Sequence, residues 1–229
     1  MIVPSMTHAE VYKELRADRE NLERWWDHRY DEYRRRALKT TKFPVSWNTE
    51  YVSPRKNQYT LIVTCTRRRF EGYYGCVLLA LRKEKHGYTV YLTKLNKETI
   101  MGKTVCLPHF FDRYAERAGI DKSGVDLIRH FFANQSGGYI LSSQHLASRS
   151  VRYNGRDHRF MAIHDGVLLG DLDDDIFIVR TFITYDMAGI RQSDEFTYAR
   201  GLLHGKEEEI RHVNRLAEMN ESINQLRLI

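Results

Sequence analysis

Two dipeptides, Asn154-Gly155 and Asp165-Gly166, constrain this chain more than any other feature. Both supply residues that tolerate positive φ, which a two-residue hairpin turn demands, so the flanking segments must fold back on one another as antiparallel strands. Strands are expected at Tyr139–Ser143, Val151–Tyr153, Arg156–Ile163, Val167–Gly170 and Ile176–Thr184, a C-terminal meander. The acidic stretch Asp171–Asp175 joins the last two and reads as a solvated hairpin tip, since it lacks the glycine and terminal glutamate of a calcium loop.

Two short helices should precede that meander. Pro108 suits a first helical turn and Gly119 a C-terminal stop, which predicts a helix within Pro108–Ile120. A second runs from Ser123 or Gly124 to Asn134, with Val125, Ile128, Phe131 and Phe132 on its buried side. Further upstream, Tyr59–Arg67, Tyr73–Arg82 and Gly87–Leu95 are rich in β-branched and aromatic residues and read as three strands, after a linker at Pro44–Pro54. The termini are helical in pattern. Thr7 and Glu10 form a capping box ahead of a stripe of Val11, Leu15, Leu22, Trp26, Tyr30 and Tyr33 that reaches Leu38. A helix from Ser193 to His204 and a stripe from Ile210 to Leu226 end the chain.

The fold class is therefore α+β: antiparallel sheet or sheets, two short helices before the C-terminal meander, and long amphipathic helices at both termini. Four segments follow: an N-terminal helix (1–42), a three-strand meander (55–100), a helix-helix-sheet core (104–186) and C-terminal helices (193–229), combined in one composite domain.

Composition bears on partners. Lysine and arginine outnumber aspartate and glutamate by 36 to 30, and the resulting +6 favours polyanions. The three cysteines lack CxxC spacing, so neither a zinc site nor a disulfide framework is indicated. No apolar run approaches membrane-spanning length and the first residues lack the pattern of a signal peptide, so a cytoplasmic protein without a membrane partner is expected. No cofactor or metal is expected, because the serine-elbow, P-loop, dinucleotide and zinc-helix motifs are absent.

The chemistry-bearing residues concentrate in two places. His109, Arg113 and Arg117 recur every four residues along one drifting helix face, where an imidazole can move a proton and planar guanidiniums can fork onto phosphate. The second place is the hairpin region, where Arg149, Arg152, Arg156, His158 and Arg159 offer a basic surface suited to nucleic acid, and His158 can serve as a second proton-transfer group. Strand alternation puts Arg156, His158 and Phe160 on one face, Asp157, Arg159 and Met161 on the other. Each reading has a structural alternative: His109 can bond helix amides, Arg117 can pair with Asp112 or Glu116, and strand arginines can simply face solvent. The runs Arg34–Arg36 and Arg67–Arg69 likewise suit either phosphate contact or ordinary helix-end and turn positions.

The order of two short helices, an antiparallel meander, the H-x3-R-x3-R-x-G-I sequence on the first helix and a final strand ending in threonine resembles the superfamily of metal-independent ribonucleases and toxins that groups barnase, EndoU, the tRNA-cleaving colicins and RelE-type toxins. The likeness spans roughly 104–184. It implies an endoribonuclease, toxin-like, that cleaves RNA by attack of a ribose 2′-hydroxyl on its own phosphate. His109 would be acid or base, Arg113 and Arg117 the phosphate clamp, and Thr184 or Thr181 a hydrogen-bonding partner. The competing expectation is a noncatalytic protein that binds RNA, or another protein or a second copy of itself through its terminal helices.

Overall fold

The computed structural model describes residues 1–71, 74–93, 103–135, 140–142, 156–189, 192–205 and 208. The described residues form an α+β structure built on one mixed sheet of nine strands, ordered β1-β2-β3-β4-β5-β9-β8-β7-β6. Those strands are β1 (Val45–Val52), β2 (Gln58–Cys65), β3 (Tyr74–Glu84), β4 (Gly87–Thr93), β5 (Lys103–Cys106), β6 (Ile140–Ser142), β7 (Asp157–Ile163), β8 (Gly166–Asp173) and β9 (Ile176–Ile183). Every described pairing is antiparallel except β5 with β9. That one parallel pair joins the two groups of strands into a continuous sheet. Its register, Thr104 to Phe177 and Val105 to Ile178, brings together strands some seventy residues apart in sequence.

Helices cover both faces. On one, α1 (His8–Ala17) and α2 (Arg19–Lys39) pack Val11, Leu15, Leu22, Trp26 and Tyr33 onto β2, β3, β5 and β9. Farther along that face the helix at 192–205, α5, places Phe196 5.1 Å from Phe160 of β7. On the opposite face, α3 (Pro108–Ala118) and α4 (Gly124–Asn134) interlock through Phe110, Tyr114 and Phe131, with ring centroids 5.2 Å (Phe110–Phe131) and 4.9 Å (Tyr114–Phe131) apart in edge-on geometry. Fully burying side chains of this size stabilises the fold by about 1.5–3 kcal/mol each.

Three departures from the sequence reading have plain causes. The N-terminal helix is divided at Asp18, whose side chain turns inward: Oδ2 accepts from Ser53 Oγ (2.6 Å), Asn57 Nδ2 (2.6 Å) and Tyr59 Oη (2.8 Å). These bonds tie the α1–α2 junction to the β1–β2 turn. The segment expected to be a linker is the edge strand β1, because Val45, Trp47, Thr49 and Tyr51 alternate under α2 while their neighbours face solvent. The third is the sheet itself. Short, apolar β5 extends both strand groups, so they share one sheet. The turn at Asn154-Gly155, Arg149, Arg152 and the stripe at 210–226 lie outside the described residues.

Candidate functional site

The helix carrying His109, Arg113 and Arg117 is set by its ends: Pro108 in the first turn and Gly119 in the left-handed conformation at the stop, φ 65°. His109 is exposed and has no bonding partner among the described residues. Arg113, also exposed, donates to Glu116 Oε2 at 2.9 Å. Arg117 turns back to the sheet. Beyond Val179, β9 has no β5 partner, and Arg117 Nη1 donates to the Phe182 carbonyl and lies 3.4 Å from Thr181 Oγ1. Thr184 follows the end of β9 and caps a 3₁₀ turn at Tyr185–Met187 through its carbonyl. So Thr181 meets Arg117 and Thr184 does not. His109 and Arg117 stand about 12 Å apart along the helix axis, at 1.5 Å per residue. The three share no partner among the described residues.

Near the end of this helix, Tyr114 Oη donates to Asp165 Oδ2 at 2.9 Å, Gln135 donates to the same oxygen, and His164 Nδ1 lies 2.9 Å from Oδ1. Burial and the Asp165 charge push the Tyr114 phenol up to about 12. Burial acts to raise the Asp165 carboxyl, but the bonds from His164, Tyr114 and Gln135 outweigh it and hold the group low. This arrangement fixes the β7–β8 turn to both helices.

A denser constellation lies on the other face of the sheet. Asp171, in β8, is only 5% exposed, and alternation with Val167 and Leu169 points it to the face that carries α5. His158 Nδ1 of β7 lies 2.7 Å from Asp171 Oδ1, directly across the β7–β8 pairing. Arg180 Nε donates to Asp171 Oδ2, and Arg156 Nη1 lies 3.5 Å from the same oxygen. The position of Arg180 comes from a β-bulge: Leu169 pairs with Thr181 and Gly170 with Val179, leaving Arg180 as the extra residue. Such an insertion re-aims a side chain. Arg159, part of the same basic stretch, is on the opposite face, as strand alternation predicts, and pairs with Asp157 at 2.6 Å.

This geometry has chemical content. A carboxylate within reach of Nδ1 orients the ring and leaves Nε2 as the outward nitrogen, which has no partner among the described residues. Two guanidiniums and one imidazole surround a single carboxylate, so the cluster retains positive charge able to receive a phosphate. Exposure rises outward from Asp171: His158 22%, Arg180 38%, Arg156 54% of the side chain. The buried acid holds the imidazole, and the two arginines are the more exposed members of the cluster.

No protein-family model, no curated protein and no solved structure matches this chain. The site therefore rests on its own geometry. Sequence reasoning singled out Arg156 and His158 among the clustered basic residues of the hairpin region but missed Asp171 and Arg180. Asp171 carried a usable signal, since it continues the two-residue alternation of Val167 and Leu169. Arg180 carried none, because a bulge in β9 is set by pairing with β8 rather than by local composition. Among the described residues no three His, Cys, Asp or Glu side chains form a metal-holding group, and no helix is long and apolar enough to cross a membrane.

Proposed function

We propose that this protein binds RNA and cleaves it without a metal ion, with His158 as the proton-transfer group. The observation that carries the reading is the Asp171-held imidazole flanked by Arg180 and Arg156. In this mechanism His158 Nε2 takes the proton of a ribose 2′-hydroxyl as its oxygen bonds to the adjacent phosphorus. The bond from phosphorus to the 5′-oxygen breaks, that oxygen leaves with a proton from water, and the hydroxide so formed takes the proton from His158 Nε2, which returns the imidazole to its neutral form. Arg180 and Arg156 oppose the negative charge that builds on the phosphorus oxygens, a contribution strongest in a partly desolvated site. The products are a 2′,3′-cyclic phosphate and a 5′-hydroxyl. The exposed His109 on α3 is the competing proton-transfer group.

A noncatalytic RNA-binding protein is the second reading. It is favoured by the engagement of Arg156 and Arg180 with a carboxylate, the ordinary way of neutralising a buried acid. Incubation with total RNA in excess chelator separates the readings. Cleavage that His158→Ala reduces by about 10²–10⁴-fold, with RNA binding retained, supports the first. Cleavage that survives His158→Ala but is lost in His109→Ala moves the chemistry to α3. Binding without cleavage by the unmodified chain establishes the second.

A further inference from the structure

Two arginine runs unused by this mechanism, Arg34–Arg36 at the end of α2 and Arg67–Arg69 in the β2–β3 turn, are brought to one place by packing. Phe70 is fully buried, stacks on Tyr74 at 4.4 Å and meets Tyr30 of α2 edge-on at 5.3 Å. This ring anchors the turn. Arg68 Nε then donates to the Leu38 carbonyl at 2.9 Å, and Arg34 pairs with Glu71 at 3.6 Å. Segments thirty residues apart thus form one surface at the C-terminal end of α2.

The charge there is concentrated. Residues 31–42 and 66–71 together hold eight lysines and arginines against three carboxylates, Asp31, Glu32 and Glu71, an excess of five where the whole chain has six. All eight cationic residues are exposed. One or two cations suffice to complement the end of a helix dipole. Eight on a braced helix end and turn exceed that need and set a like-charge cost that a bound polyanion would relieve.

We propose that this surface binds the sugar-phosphate backbone of a nucleic acid, independently of base sequence; only the choice of RNA rests on the function given above. Guanidiniums fork onto phosphate oxygens, and six of the eight cations are arginine. A lipid surface is the poorer fit. Among the described residues, Leu38, half exposed, is the one large exposed hydrophobic in these two segments, short of the broad apolar face that an interfacial helix inserts. The surface is distinct from the His158 cluster, since β2 and β8 are five strand steps apart, about 24 Å. A bound strand would be held there and presented to the cleavage site from a distance.

The test uses the full chain with His158→Ala, so that binding is read apart from cleavage. Fluorescence anisotropy of a labelled RNA of about 20 nucleotides is followed between about 50 and 200 mM salt. Adding Arg35→Gln, Lys39→Gln, Arg67→Gln and Arg69→Gln should weaken binding at least tenfold at the lowest salt and reduce the log–log salt slope by about two to three, near 0.7 per lost single-strand contact. Replacing the three arginines with lysine should retain most of the slope. If circular dichroism shows the fourfold variant unfolded, Arg35→Gln with Lys39→Gln, both on the exposed side of α2, should give about half the slope change. Affinity and slope unchanged in a folded variant would overturn the proposal. So would patch-dependent binding to phosphatidylserine vesicles with no patch-dependent binding to RNA. Loss of patch binding with cleavage intact would leave the His158 mechanism standing.

Discussion

Asp171 and Asp18 are both buried acids, and they are held by different kinds of partner. Asp18 is fully buried and receives three neutral donors with no cation, an arrangement that braces a junction. Asp171 receives an imidazole and two guanidiniums at the rim of the sheet. Asp18→Ala should therefore cost on the order of 3 kcal/mol in denaturant unfolding, because it strands several buried donors at once. Asp171→Asn should leave the fold in place and lower RNA cleavage by about 10²–10³-fold, read as kcat/KM. Two other residues contribute to the acid response. Arg55, then the N-terminal ammonium and Asn57, hold the Glu14 carboxyl down at about 2, against an ordinary 4.5. The folded state binds fewer protons there, so this stabilisation is complete above about pH 4.5 and is lost as pH falls toward 2, on the order of 1–2 kcal/mol given the exposed arginine partner. Burial, and then Arg82, lower the His8 imidazole below its ordinary 6.5. Its neutral form is favoured by folding, so His8 also removes stability as pH drops below 6.5. Unfolding midpoints at pH 7, 5.5 and 3.5 should fall in two stages, with His8→Gln flattening the first and Glu14→Gln the second. Residue roles of this kind were only half legible in the sequence. His158 stood out among the clustered basic residues of the hairpin region, whereas Asp171 was hidden among Asp173, Asp174 and Asp175, which made the whole stretch resemble a solvated tip.

Elements were the more legible level wherever local chemistry determines them. The Thr7–Glu10 capping box is present with both reciprocal bonds, and Gly119 adopts the left-handed conformation that its helix end requires. Where pairing partners decide, the sequence was silent: the strand at 45–52 passed for a linker between two prolines, although Val45, Trp47, Thr49 and Tyr51 already alternated. The bulge at Arg180 belongs to the same class. It depends on the close approach of β8 and β9 at Gly170, where an added Cβ would overlap the Ile178 carbonyl and meet the Phe177 ring. Gly170→Ala should therefore destabilise the fold by about 2 kcal/mol or more and displace Arg180. Thermal unfolding measures the first effect. A fall in cleavage with stability restored by low temperature measures the second.

On the scale of the whole molecule, the parallel contact of β5 with β9 makes two groups of strands into one sheet, and the His158 cluster is built wholly on the later group. Of the three tryptophans, Trp47 lies in the earlier group, and Trp25 and Trp26 lie on α2, which packs against it. If the sheet is one cooperative unit, tryptophan fluorescence and far-ultraviolet circular dichroism should give coincident denaturant transitions. Separate transitions would show that the groups unfold independently. Sequence patterns listed most strands of both groups, β1 and β5 excepted, but could not join them, since the pairing of Val105 with Ile178 is a long-range choice that leaves no local mark. The active-site assignment is tested most directly by the chemistry of the ends it would produce. A defined RNA incubated with the protein in excess chelator should yield 2′,3′-cyclic phosphate and 5′-hydroxyl termini by mass spectrometry, and His158→Ala should abolish them. Termini bearing 5′-phosphate, or identical products from the His158→Ala protein, would contradict it.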